Sequence, residues 1–317
     1  MNQHSSSEPA SGLLLPWLRL MRLPTVFTSL TNVLCGYLVS SAERDLPALV
    51  RQPELYLLLL SSAGLYLGGM VLNDVFDVEL DRVERPNRPI PAGLITRKAA
   101  AVLGGLLILT GVGCAALASG TTDFSPVVIA AVLAAVVLLY DALLKNTVLA
   151  ALGMGTCRFL NVMLGASCCG SWAEVWATPQ LWIAGALGIY VFGVTWFAQN
   201  EAGQSSRAML VAGMGTAMAG LGWNAWTTWL HAGPSQAATG TLIALGLIAG
   251  NILLRGFRAV RINQAVLLQK TVGFMLLNII FVDAAMTFCF TGSGRLATLV
   301  VILVIPATLL KRVVPMS

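Results

Sequence analysis

The sequence predicts an all-α fold, a polytopic transmembrane bundle of nine to ten helices. Three observations carry that expectation. Of 317 residues 57% are apolar and 10% are charged, where an ordinary soluble chain carries about 25% charged residues. Mean hydropathy is +0.80. Apolar runs of roughly the 20 residues needed to cross a bilayer core recur along the chain. A water-soluble fold of this length would lack the polar surface it needs. Soluble enzymes, disordered regulators and disulfide-stapled secreted modules are therefore excluded. No segment alternates like an outer-membrane strand, which leaves helices as the spanning elements.

Taken in order, the expected spans are 24–42, 54–73, 99–119, 125–143, 147–167, 180–198, 208–229, 236–254, 271–290 and 295–311. Gly and Ala recur inside them, as close helix packing in lipid requires. Residues 1–16 read as a disordered cytoplasmic tail, because the stretch from Met1 to Gly12 is polar and Ser-rich and lacks a signal peptide's basic n-region and cleavage site. Residues 17–317 read as one transmembrane domain. With the N-terminus inside and all ten segments spanning, 15 basic residues fall on the inner side. Arg44, Arg51 and Arg295 stay outside, and Arg158 lies within a span. That bias sets a multi-pass protein in the cell inner membrane with its N-terminus cytoplasmic. It also explains the net charge of +5 without any nucleic-acid partner. Two long polar loops, 74–98 and 255–270, then face the cytoplasm, and chemistry is expected there. The six cysteines show neither CxxC nor Cys/His metal spacing and read as small buried hydrophobes.

The acidic run after the second span is the strongest local signal. It reads Asn73-Asp74-Val75-Phe76-Asp77-Val78-Glu79-Leu80-Asp81 and continues Arg82-Val83-Glu84-Arg85-Pro86-Asn87-Arg88-Pro89. In a continuous helix each residue advances about 100°, so Glu84, Asp77, Asp81 and Asp74 fall about 20°, 40°, 80° and 100° from Asn73. Like charges on one face repel unless a cation sits among them. Mg²⁺ takes hard oxygen ligands, often one or two carboxylates plus substrate phosphate oxygens. Asp74, Asp77 and Asp81 are thus candidate metal ligands. Arg82, Arg85 and Arg88 could hold the remaining phosphate charge, and Pro86 and Pro89 end the helix. A solvated helix end with internal Asp–Arg pairs is the plainer alternative.

The run N-D-x-x-D-x-x-x-D followed by R-P-x-R-P-I-P-A-G, here Asn73 to Asp81 and Arg85 to Gly93, resembles the first Asp-rich motif of the UbiA superfamily of intramembrane prenyltransferases. Arg22-Leu23-Pro24-Thr25 is similar to that family's R-x-P-T element, and Tyr140 with Lys145 to its Tyr…Lys element after the fourth span. The likeness runs from about residue 17 to 290. It implies about nine helices around a cavity open to the cytoplasmic face and the lipid, with Mg²⁺ and a polyprenyl diphosphate donor held between two Asp-rich motifs. An aromatic or other electron-rich acceptor then takes the prenyl group within the bilayer. It also implies catalytic roles for Asp77, Asp81 and Lys145, and substrate contacts at Arg22, Asn73, Arg85, Arg88 and Tyr140.

Where the family's second motif carries acids, this chain reads Gln199-Asn200-Glu201-Ala202-Gly203-Gln204. Asn200, Glu201 and Gln204 still form a polar face for substrate, but amide carbonyls ligate Mg²⁺ more weakly than carboxylates. The alternative is therefore a catalytically impaired isoprenoid-binding protein that assists metabolite biosynthesis or export. This segment and Cys157-Arg158-Phe159-Leu160-Asn161 resemble the UbiA-like EboC branch of the superfamily. Charges at membrane depth usually face a bundle interior. Arg158, with Asn161 on the same face, is read as a diphosphate contact or as the partner of an acid. Asp283 is read as a helix–helix hydrogen bond. Asp141 and Lys145, four apart, read as an i,i+4 pair, with Asp141 structural. Asn32 faces either the cavity or another helix, and Gly213-Met214-Gly215 is packing.

Overall fold

Backbone amides in lipid have no partner but the chain itself, and the apolar segments accordingly fold into one helix after another. The computed structural model describes residues 11–120, 123–199 and 206–313. The long helices are α2 (Phe27–Ser40), α4 (Pro53–Phe76), α6 (Arg97–Ala118), α7 (Ser125–Leu139), α8 (Ala150–Ala166), α10 (Gln180–Ala198), α11 (Arg207–His231), α12 (Gln236–Ile262) and α13 (Ala265–Thr291). Short helices α1 (Ser11–Leu20), α3 (Leu46–Leu49), α5 (Val78–Glu84), α9 (Trp172–Val175), α14 (Gly294–Val301) and α15 (Val304–Val313) complete the chain order. No strand occurs among the described residues.

Among the described residues, eight helical segments are long and apolar enough to cross a membrane. Two of the ten expected spans are not among them. The fifth forms α8, which has 17 residues, and the seventh forms the longer α11, which carries Asn, Thr, Trp and His at its C-terminal end. Both are nonetheless packed into the bundle, α8 against α2, α7 and α10, and α11 against α10 and α12. The last span is broken at Ile302–Leu303 between α14 and α15. Pro306 is the cause, since its ring clashes with the carbonyl four residues earlier, at Ile302.

Three expectations change. Helix α1 starts at Ser11, inside the stretch 1–16 read as a disordered tail. The polar segment 255–270 is not a long loop: α12 and α13 run through it and turn at Asn263 with φ 51°. Asn tolerates this left-handed conformation better than most residues, so the Arg-rich end of α12 stays helical up to the turn. Finally, α4 does not continue through the acidic run. It ends at Asp77, whose φ of −86° and ψ of 2° leave the helical region, and α5 starts afresh at Val78.

The bundle closes as a ring, with α2 lying against α4, α8 and α13. At the α2–α8 crossing, a Cβ on Gly36 would stand 2.0 Å from the Val162 carbonyl oxygen, and one on Gly165 would stand 2.0 Å from that of Val33. Two backbones meet there with no side chain able to yield. Gly165→Ala is expected to cost about 1–3 kcal/mol by overpacking, read as a lowered unfolding temperature in detergent. Gly105→Ala, which meets nothing within 4 Å, is expected not to lower it. Gly213 packs in the same way, its Cβ position lying 2.6 Å from the Phe197 amide nitrogen. All six cysteines are free thiols, and Cys35 and Cys289 are fully packed.

Candidate functional site

The break after α4 shapes the site. Asp74 lies buried in the last turn of α4, Asp77 sits at the kink, and Asp81 returns as a buried residue on α5. Past α5, Pro86 and Pro89 turn the chain so that Arg88 folds back beneath both acids. Its Nη1 donates to Asp74 Oδ1 at 3.1 Å and to Asp81 Oδ2 at 2.6 Å. Arg22 reaches Asp74 Oδ1 at 2.8 Å from the other side. Arg22 itself is left-handed, with φ 47° and ψ 45°, just before the 3₁₀ turn Leu23–Thr25. Such a conformation is uncommon for a side chain of this size and is held by the Thr25 hydroxyl donating to the Arg22 carbonyl at 2.7 Å. Asp77 Oδ1 lies 2.6 Å from Lys145 Nζ.

The site therefore differs from the helical-face expectation. Asp74, Asp77 and Asp81 do not point to one metal-sized centre, and among the described residues no three acidic, Cys or His side chains do so. The kink at Asp77 and the intervening cations separate them. Of the three arginines expected together, Arg88 alone enters the cluster. Arg82 pairs instead with Glu79 at 2.7 Å on the exposed side of α5, while Arg85 is exposed. The plainer expectation of Asp–Arg pairs is partly right, but these pairs are buried rather than solvated. Buried pairs of this kind hold only when each oxygen finds a donor.

Across the cleft, α7 gives way to a π-helical turn, Tyr140–Leu144, closed by the Lys145 amide donating to the Tyr140 carbonyl at 3.0 Å. Single π turns often mark functional sites. The wider turn sends Lys145 toward Asp77 and leaves Asp141 inside. Asp141 is 2% exposed. Its Oδ1 accepts from Asn73 Nδ2 at 3.0 Å, while its Oδ2 is buried without a hydrogen-bond partner. Asp141 and Lys145, whose spacing alone would make an i,i+4 pair, form no ion pair here, because a π turn moves the cation one residue round and Lys145 meets Asp77. The signal that could have found this acid was its depth in an apolar span, the same cost that singles out Arg158 and Asp283.

Tyr140 and Asp141 form the end of a cavity of about 60 Å³ between α2, α4, α7 and α8. Its walls are largely apolar, with Tyr66, Ser62, Arg158 and Asn161 as polar points. Gly153 lets the Tyr140 ring lie close, since a Cβ there would stand 2.9 Å from Tyr140 Cδ2. Arg158 donates to Asn32 Oδ1 and Thr28 Oγ1, each at 3.0 Å, and stands 5.5 Å from the centroid of the Tyr66 ring. Asn32 in turn donates to Asp283 Oδ2 at 2.7 Å. Arg158 is thus joined to the acid of α13 through Asn32, and Asp283 makes the helix–helix bond expected of it. Asn161 bridges Ser29 and Ser62. Gln199 is exposed and donates to the Thr147 carbonyl at 3.5 Å. Asn200, Glu201 and Gln204 lie outside the described residues.

The oxygen-rich chemistry of this cluster suits Mg²⁺, a hard cation that takes carboxylate and phosphate oxygens. The unpartnered Asp141 oxygen is the observation in its favour. Fold and site together define an intramembrane helical-bundle protein whose apolar cavity ends at interleaved carboxylates and cations. The chain belongs to the UbiA prenyltransferase family, whose sequence model matches residues 29–280. It is 34% identical over 96 residues to digeranylgeranylglyceryl phosphate synthase of Sulfurisphaera tokodaii, covering 30% of this chain and 33% of that protein. The chain thus spans about a third of that relative's length. Among solved structures, an apo UbiA homologue of Aeropyrum pernix K1 superposes with a TM-score of 0.65 at 19% identity, over 82% of this chain and 96% of that one. A UbiA homologue of Archaeoglobus fulgidus bound to DMAPP and Mg²⁺ gives 0.58 at 14% identity, over 84% of this chain and 99% of that one.

Proposed function

We propose that this protein is a Mg²⁺-dependent prenyltransferase, moving a prenyl group from a polyprenyl diphosphate to an electron-rich acceptor inside the membrane. The observation that carries this reading is the ion-pair cluster Asp74, Asp77, Asp81, Arg22, Arg88 and Lys145, joined through the Asn73–Asp141 hydrogen bond to an apolar cavity lined by Tyr140 and Asp141. A leaving diphosphate develops negative charge, and preorganised cations are most effective where that charge appears. Arg22, Arg88 and Lys145 exchange carboxylate oxygens for phosphate oxygens, the bidentate fork of Arg suiting this best. Of the three acids expected to ligate the ion, Asp77 is the proposed metal ligand, since Asp74 and Asp81 are held by Arg22 and Arg88, and the ion supplies Lewis-acid neutralisation of the diphosphate when bound. The allylic C–O bond breaks with its electron pair going to the diphosphate. The Tyr140 and Tyr66 rings along the cavity offer π-faces to the positive carbon, and dry apolar walls protect it from hydrolysis. Asn73 positions Asp141, while Arg158 with Asn161 fixes the cavity wall. The positive-inside bias supports an inner-membrane location with a cytoplasmic N-terminus, so that the diphosphate end opens inward.

Release of diphosphate from a polyprenyl diphosphate by the full-length protein in nanodiscs tests the reading. Release is expected with Mg²⁺ and an acceptor screen and is expected to stop with EDTA. Binding without release under every acceptor would instead favour an isoprenoid-binding protein. One observation supports that second reading: Gln199, at a position where the family motif carries an acid, donates its side-chain amide to a backbone carbonyl. Asn200→Asp combined with Gln204→Asp separates the two. Turnover gained by the double variant is the expected result if missing carboxylates limit the rate, and unchanged turnover would exclude that cause.

A further inference from the structure

The ion pairs around the site are unevenly distributed. Asp74 pairs with Arg22 and Arg88, Asp81 with Arg88, and Asp77 with Lys145. A fourth carboxylate beside them, the buried Asp141, makes none of these pairs. Its Oδ1 takes the Asn73 amide, and its Oδ2 is buried and unmatched at the cavity end. Burying a carboxylate without a cation or a full set of donors is expensive, so a fold that keeps one there has a use for it.

The backbone leaves this buried oxygen without a partner from two sides. The π turn at Tyr140–Leu144 carries Lys145 off to Asp77 and turns Asp141 inward. Opposite, Gly69 of α4 has no side chain. A Cβ there would stand 2.7 Å from Val137 Cγ1 and 4.0 Å from Asp141 Oδ2, closing the space next to the oxygen. The charged groups facing Asp141 are Lys145, Asp77 and Arg22, the same groups assigned above to the diphosphate and its ion. We infer that Asp141 is a direct ligand of the diphosphate-borne Mg²⁺, its carboxylate supplied from the π turn. This inference rests on the prenyl diphosphate reading. Mg²⁺ bound through one or two carboxylates and substrate phosphates needs nothing more from the chain than Asp77 and Asp141 on either side of the cleft. The Asn73 amide holds Asp141 Oδ1, so that Oδ2 is the ligating atom.

The test uses full-length protein in nanodiscs, Mn²⁺ as the spectroscopic probe, and a non-cleavable geranyl thiodiphosphate, with binding read by electron paramagnetic resonance. Wild type binds Mn²⁺ tightly in the presence of the thiodiphosphate. Asp141→Asn is expected to weaken that binding more than about tenfold, the scale of losses at metal-site residues. Its unfolding temperature without metal is expected to equal or exceed that of wild type, because an uncompensated charge has been removed. A structural role would do the reverse, lowering the unfolding temperature and leaving Mn²⁺ affinity unchanged, and that result overturns the inference. Should Asp141→Asn not fold, an Mn²⁺-loaded wild-type structure decides. The ion is expected about 2 Å from Asp141 Oδ2, and an ion held by Asp77 and phosphate with Asp141 out of reach overturns the assignment. If wild type binds the thiodiphosphate and Mn²⁺ but Asp141→Asn does so equally well, this inference alone fails. If wild type binds neither, the prenyl diphosphate reading fails with it.

Discussion

Asp77→Ala is expected to lower Mg²⁺-dependent diphosphate release at least about 100-fold, the scale on which removing one preorganised electrostatic group acts. The protein should stay folded. Asp77 sits at the break between α4 and α5, its side chain 17% exposed and bonded to Lys145, itself 11% exposed. Among the three acids of the run, Asp77 is the one whose cation comes from the opposite wall of the cleft, so it is the acid best placed to meet a ligand entering between them. The measurement is the rate of diphosphate release at saturating Mg²⁺, with the unfolding temperature as control. A variant that keeps a third of the wild-type rate would remove Asp77 from the reaction.

Arg88→Ala is expected to damage the fold itself, by about 3–5 kcal/mol, because removing one partner of a buried pair leaves its charge uncompensated. Here a single guanidinium nitrogen serves two buried acids, Asp74 at 3.1 Å and Asp81 at 2.6 Å. Arg22 still holds Asp74, but no other cation reaches Asp81 among the described residues. Arg88→Lys is expected to recover only part of the loss, since a point charge on a flexible stem does not replace the planar fork. Arg85→Ala, three residues away and exposed, is expected to stay within about 0.5 kcal/mol of wild type. Unfolding temperatures of the three variants side by side provide the check. Equal losses at positions 85 and 88 would contradict the buried bridge.

How far the site could be read from residue order depends on which assumption each residue tested. The spans followed from run length, which asks only for apolar composition, and α10 coincides with its expected limits, 180–198. The Asp74–Asp81 cluster followed from spacing and motif. Its internal geometry did not, because the argument assumed an unbroken helix and the chain breaks at Asp77. Arg82, Arg85 and Arg88 look equivalent in sequence, and only the turn at Pro86 and Pro89 decides that Arg88 folds inward. Asp141 and Lys145 show the same weakness, since four-residue spacing implies a pair only on an α-helix, and this stretch is a π turn. The segment 255–270 looked like a loop because of its arginines, yet charge does not end a helix that has left the lipid. In each case composition and pattern identified the residue, and one local backbone event decided its partner.

The pairing of Arg88, Arg22 and Lys145 with their acids bears on how such a site loads. A lone divalent ion arriving there must evict a guanidinium or an ammonium and leave it stranded in a low-dielectric crevice, a poor bargain. A lipid that brings ion and polyanion together offers the evicted groups new partners at once, so the exchange is nearly even. Loading is then a concerted trade in which neither component enters well by itself, and departure of the spent anion lets the original pairs re-form.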